Sequence, residues 1–213
     1  QAFVDLMIPV VKGWSTETGI DVASLGVQVH GGMGFIEETG AAQFMRDSRI
    51  ISIYEGTNGI QAIDLVTRKL PTNGGGVMKA EIADMRAVVE QLRAANDPSF
   101  GATARRLGEA LDAFERATDY LLGKLGSSVQ DALAGATPYL RLFGLVRGGS
   151  TLGAMALAAH RARAAGDTDP AQAGRIATAR FFAENIVVGA GGLEATITGA
   201  AESVLTADLA LAG

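Results

Sequence analysis

Apolar residues recur along this chain at helical spacing almost from end to end. Residues 1–12 carry Phe3, Leu6, Met7 and Val10 on one stripe, and Gly13 interrupts the pattern. A second segment over about 17–31 carries Ile20, Ala23, Leu25, Val27 and Val29, and closes at Gly31-Gly32, which read as a helix C-cap. A third, over about 38–50, carries Ala41, Phe44 and Met45, and Ile51 to Tyr54 is a short β-branched connector. A fourth helix starts near Thr57, whose hydroxyl is placed to cap it, and runs through Ile60, Ile63, Leu65, Val66 and Leu70. Leu70-Pro71-Thr72-Asn73-Gly74-Gly75-Gly76 breaks every pattern and predicts a linker, hence a boundary between residues 1–72 and 73–213.

Beyond the break the periodicity stays helical. Ile82, Met85, Val88, Val89 and Leu92 form one stripe, Asn96 to Ser99 a turn, and Leu107, Leu111, Phe114, Thr118, Leu121 and Leu125 the next stripe. Ala136-Thr137-Pro138 predicts a helix start with Thr137 as cap, and that helix runs to about Ala165 with a bend at Gly148-Gly149. Asp169-Pro170 repeats the start signal, Gly189 to Gly192 is a further break, and a last helix is predicted over about 193–210. The fold class is all-α.

Composition agrees. Apolar residues make up 48% of the 213 and aromatics only 6%, and the five prolines leave room for long helices. A net charge of −5 without any Lys/Arg-rich stripe argues against nucleic-acid binding. The absence of cysteine excludes disulfides and thiolate metal sites, and two isolated histidines, His30 and His160, argue against a metal site. No uninterrupted apolar run reaches membrane-spanning length. The start has no signal-peptide pattern and begins inside a helical stripe without Met, which reads as the middle of a cut helix; a soluble cytoplasmic protein is the expectation.

The candidate chemistry lies in two segments. Tyr54-Glu55-Gly56-Thr57 sets a carboxylate at a helix entrance, where most glutamates only face the helix dipole. Here apolar Ile50, Ile51, Ile53 and Tyr54 predict burial, which raises a carboxyl pKa, and Gly56 permits close approach of a ligand; both suit a general base. Gln28-Val29-His30-Gly31-Gly32-Met33-Gly34 is not a dinucleotide fingerprint, because a helix precedes it, but freed backbone amides there can hold a phosphate or carbonyl. Arg46, Asp47 and Arg49 read as ion-pairing residues, and Trp14 and the methionines as packing.

Taken in order, Gln28 to Phe35, Arg46-Asp47-Ser48-Arg49-Ile50 and Ile53 to Gln61 resemble the C-terminal helical domain of acyl-CoA dehydrogenases. The resemblance covers residues 1 to about 70 and implies a four-helix domain with a helical-bundle extension behind it. That extension resembles the extra helical region of longer bacterial members, including the group acting on methylmercaptopropionyl-CoA, and a scaffold role is expected for it. The resemblance further implies FAD-dependent α,β-dehydrogenation of an acyl-CoA in fatty acid β-oxidation. In it Glu55 is the base that takes the α-proton, and the β-hydrogen leaves as hydride to flavin N5. Gly56 lies against the substrate, Thr57, Asn58 and Gly59 contact FAD, and Gln28, Val29, His30, Gly31 and Gly32 contact the FAD of a neighbouring subunit. A glutamate at 55 argues against relatives that carry the base on another helix. An electron-transfer flavoprotein is the implied redox partner and a homo-oligomer, dimer or tetramer, the implied assembly. The N-terminal and β-domains of that family are missing, so the isolated chain is expected neither to hold FAD tightly nor to turn over. A non-catalytic helical assembly module and an acyl-CoA oxidase are the alternatives.

Overall fold

The computed structural model describes residues 1–207, and every regular element among them is helical. The elements are α1 (Ala2–Val29), α2 (Gly32–Phe35), α3 (Ala41–Ile50), α4 (Asn58–Asp64), α5 (Gly76–Ala95), α6 (Thr103–Leu125), α7 (Val129–Ala134), α8 (Ala136–Ala164), α9 (Pro170–Asn185), α10 (Ala190–Gly199) and α11 (Ala201–Leu205).

α1 is one helix of 28 residues, not the two predicted on either side of Gly13. Gly13 is a contact glycine: a Cβ there would stand 2.9 Å from Leu140 Cδ1 of α8. The lost helix propensity, about 1 kcal/mol, is offset by letting α8 close on the α1 backbone.

Local caps follow the sequence closely. Thr57 accepts from the Ile60 amide at the head of α4, and Asp169 accepts from the Ala171 amide at the head of α9, with Pro170 in the first turn. Thr137 does not cap α8. Ser128 caps α7 by accepting from the Asp131 amide, and Gly135 keeps right-handed helical geometry between α7 and α8. The chain re-enters helix there without a new cap, which leaves Thr137 inside the first turn of α8. The predicted last helix is two, α10 and α11, parted at Ala200; its residues 208–210 lie outside those described.

α4 passes into a π-helical turn, Leu65–Lys69, before the chain turns at Pro71. The 70–76 segment is a fixed corner. Asn73, Gly74 and Gly75 have positive φ, Leu70 is fully buried, and a Cβ on Gly75 would meet Leu122 Cδ1 at 2.9 Å. One hydrophobic core runs past it, joining Leu6, Val10, Leu65, Val66 and Leu70 to Met78, Ile82, Leu121 and Tyr139.

α8 is the hub and packs against α1, α4, α5, α6, α9 and α10. It is long and apolar enough to cross a membrane by length and composition, yet its apolar residues, among them Tyr139, Leu142, Phe143 and Val146, fill the core. Gly148 and Gly149 lie within this single helix and face Trp14 and Leu107, so they admit neighbours closely. The phenol of Tyr139 is fully buried, 2.8 Å from Thr118 Oγ1. Thr118 gives its own proton to the Phe114 carbonyl, so Tyr139 is the donor in that pair.

Candidate active site

The connector from α3 to α4 carries Glu55. It begins with the Ile53 and Tyr54 amides both donating to the Ile50 carbonyl, at 3.0 and 3.2 Å. Glu55 then takes φ 54° and Gly56 φ 84°, two left-handed residues in succession. This conformation is free to glycine and strained for glutamate, at a cost of about 1–3 kcal/mol. The Asn58 amide closes the connector by donating to the Ser52 carbonyl at 3.2 Å. Gln61 Nε2 reaches the Glu55 carbonyl at 3.5 Å, a long contact.

The connector does not bury its carboxylate as the flanking residues predicted. Glu55 is exposed, and Ile50, Ile53 and Tyr54 are each about half exposed, at 53%, 48% and 49%. These apolar side chains, close to Glu55 in sequence, make an apolar rim on the connector that the described residues leave partly uncovered.

Two side chains of α1 and one of α4 tie the connector down. Asn58 is buried, and its Nδ2 donates to the Gly13 carbonyl at 3.1 Å and meets Thr16 Oγ1 at 3.0 Å. Its amide group is thus used within the chain. Lys12 Nζ donates to the Ile51 carbonyl at 2.8 Å, lies 3.4 Å from Asn58 Oδ1, and sits 5.7 Å from the Tyr54 ring centroid. Neither Lys12 nor Thr16 was singled out from the sequence, because both sit mid-helix with nothing local to mark them.

The glycine segment ends α1. Its C-cap is His30, whose ring Nδ1 is 2.8 Å from the Gly26 carbonyl; the helix stops just before the predicted glycines. Gly31 follows at φ 62°, and its amide donates to the Gln28 carbonyl at 3.1 Å. Gln28, Val29, His30, Gly31 and Gly32 are exposed, and nothing lies within 4 Å of where a Cβ on Gly31 or Gly32 would stand. Gly34 is buried, with the Val27 carbonyl in the space a side chain would need. His30 lines a groove of about 450 Å³ between α1 and α3, with Gly26, Thr39 and Phe44; Glu55 is not part of that wall.

Between the two segments Arg46 pairs with Glu37 at 3.3 Å. Asp47 accepts from Gln43 at 2.6 Å, and Arg49 donates to Ser52 Oγ at 3.0 Å, so these two hold α3 and the connector by hydrogen bonds.

Comparison with known proteins places the chain among relatives. Residues 4–70 match the family described as acyl-CoA dehydrogenase, C-terminal domain, and residues 80–208 the family described as acetyl-CoA dehydrogenase C-terminal like. The chain is 45% identical over 210 residues to a 3-methylmercaptopropionyl-CoA dehydrogenase of Ruegeria pomeroyi, covering 98% of this chain and 35% of that protein. It is 31% identical to a broad-specificity linear acyl-CoA dehydrogenase of Mycobacterium tuberculosis, over 86% of this chain and 31% of the relative. A butyryl-CoA dehydrogenase of Syntrophomonas wolfei is also 31% identical, over 86% and 30%. The chain spans about a third of the length of these curated relatives.

Proposed function

Since the chain belongs to the acyl-CoA dehydrogenase family, we propose that it is the C-terminal part of an FAD-dependent enzyme that sets an α,β double bond into an acyl-CoA. Residues 1–72 are its catalytic helical module and 73–213 its helical extension. Glu55 is the base for the α-proton. The observation that carries this reading is the left-handed pair Glu55-Gly56, which presents a carboxylate outward on an uncovered apolar rim. Once that rim is covered, water is excluded from the carboxylate, and a site without water strengthens a base and the dipoles around it. The Glu55 amide is suited to polarising the thioester carbonyl, and Gly56 to lying against the substrate.

The residues present fit the flavin. Gly31 and Gly32 offer bare backbone with open space around it, as close approach of a phosphate or ring edge requires. We assign Gln28, Val29, His30, Gly31 and Gly32 to the FAD of a neighbouring subunit and Thr57, Asn58 and Gly59 to FAD on their own side. Asn58, with its side chain turned to α1, fastens that strip. When bound, FAD supplies the acceptor for the β-hydride at N5. An electron-transfer flavoprotein as redox partner and a homo-oligomeric assembly complete the proposal.

The test uses the full-length polypeptide with 3-methylmercaptopropionyl-CoA and butyryl-CoA as probes and dye reduction as readout. Glu55→Gln is expected to lower kcat by about 10²–10⁴-fold with flavin content unchanged. Wild-type turnover by Glu55→Gln would overturn the assignment, and peroxide release with oxygen consumption would mark an oxidase instead. The chain by itself is expected to be colourless; a yellow preparation of it counts against the placement of most flavin contacts elsewhere.

A further inference from the structure

Glu55 occupies a strained conformation on a connector that has little structure of its own. Within residues 51–57 the backbone bonds are those of Ile53 and Tyr54 to Ile50, of Asn58 to Ser52 and of Gln61 to Thr57. None of these involves the Glu55 amide, and its carbonyl has only the long contact to Gln61. A non-glycine residue stays left-handed only where its surroundings over-determine the backbone. Part of those surroundings comes from α1.

We propose that Lys12 is a positioning residue for Glu55; the proposal rests on the reading of Glu55 as the base. The ammonium group touches the connector on both sides of Glu55. Before it, Nζ donates to the Ile51 carbonyl at 2.8 Å and lies under the Tyr54 ring, 5.7 Å from its centroid. After it, Nζ lies 3.4 Å from Asn58 Oδ1. Ile51 is the C-cap of α3, so the positive charge stands at the negative end of that helix. Three rotatable donors on one small cation suit these three diverging partners, whereas the planar fork of arginine does not reproduce them. The cation also favours the Tyr54 ring face over solvent.

The rest of the clamp is separate. Asn58 Nδ2 holds the Gly13 carbonyl and Thr16 Oγ1, and Thr16 Oγ1 also donates to the Lys12 carbonyl at 2.7 Å. Arg49 reaches Ser52 Oγ from the α3 side at 3.0 Å. Removing the Lys12 ammonium therefore leaves α4 docked on α1 and frees the 51–57 backbone. Its effect falls more on the geometry of proton abstraction than on substrate affinity.

The experiment compares Lys12→Met, Lys12→Gln and Lys12→Arg in the full-length enzyme, at matched flavin content, with the two acyl-CoA probes named above. Lys12→Met keeps the methylene stem and removes the donors. It is expected to lower kcat on the order of 10- to 100-fold, the scale of a misplacement near 1 Å. KM should change by less than kcat does, since only the Glu55-Gly56 part of the substrate contact lies on this loop. Hydrogen exchange of the 51–57 amides should rise while that of α5 and α6 does not change. Lys12→Arg should recover part of kcat, and Lys12→Gln, should Lys12→Met not fold, should show the same loss in smaller degree. Unchanged kcat, a change in KM alone, or unchanged exchange at 51–57 overturns the proposal. Normal turnover by Glu55→Gln overturns the base assignment and the catalytic half of the proposal with it; faster 51–57 exchange in Lys12→Met would even then support the clamp.

Discussion

Glu81 on α5 is the most deeply buried carboxylate in the described fold, with a side chain 2% exposed. Arg147 of α8 stands 3.1 Å from its Oε1, but that oxygen has no hydrogen bond of good geometry. Burial pushes the Glu81 carboxyl above its ordinary 4.5; Arg147 pulls it back in part and Asp84 adds to the rise. A raised carboxyl means the fold prefers the protonated form. Its contribution to stability is thus fully present below 4.5 and is lost as the pH climbs through the folded-state value. Glu81→Gln removes this titration. Urea unfolding should show wild type losing stability relative to Glu81→Gln between acid and neutral pH; a stability difference that does not move with pH would count against this account. Nothing in the sequence marks Glu81 as buried, because it looks like any polar residue on a helix, and only the approach of α8 makes it otherwise.

At the scale of elements, the α1–α8 contact decides the arrangement. Trp14 lies where a side chain on Gly144 would stand, and Trp14 Cη2 is 2.9 Å from a Cβ on Gly148. An indole ring cannot yield as a flexible chain end can. Gly144→Ala is therefore expected to destabilise by about 1–3 kcal/mol, as overpacking does, despite the better helix propensity of alanine. Trp14 is the sole tryptophan, so its emission reports the loosening directly; an alanine variant as stable as wild type with unshifted emission would contradict the packing account. This same contact shows where sequence reading reaches its limit. The caps at Thr57 and Asp169 were legible because cap and partner lie within three residues. Gly13 reads as a breaker in the sequence because the reason for it, Leu140, is remote along the chain. Thr137-Pro138 carried a start signal that the helical geometry of Gly135 made unnecessary.

For the molecule as a whole, the apolar surface is unevenly shared. Val22, Leu25, Val29, Phe35 and Phe44 are all more than 60% exposed, and most of the large exposed apolar residues lie within the first 63 positions. The apolar rim beside Glu55 belongs to this band. The sequence predicts burial for its residues, and the structure leaves them about half exposed, because a hydrophobic pattern carries no information on which stretch of chain, if any, covers it. The folded core, in contrast, does not respect the division between the two matched families. It is continuous across the 70–76 corner, so we expect residues 1–207 to unfold as one unit. Trp14 emission and far-UV circular dichroism should give coincident thermal transitions, whereas two separated transitions would show that the modules melt independently.

Lys12, Gly13 and Trp14 are consecutive on α1: Lys12 meets the connector before Glu55, while Gly13 meets Leu140 and Trp14 the glycine face of the same helix, α8. One turn of helix is therefore held both by the candidate catalytic loop and by the extension. A roll of α1 that relieved crowding at α8 would carry the ammonium group with it and re-aim the loop. If Glu55 is the base, we expect substitutions along residues 140–148 to alter turnover through α1 rather than through contact with Glu55, which the kcat of Gly144→Ala in the full-length enzyme would show.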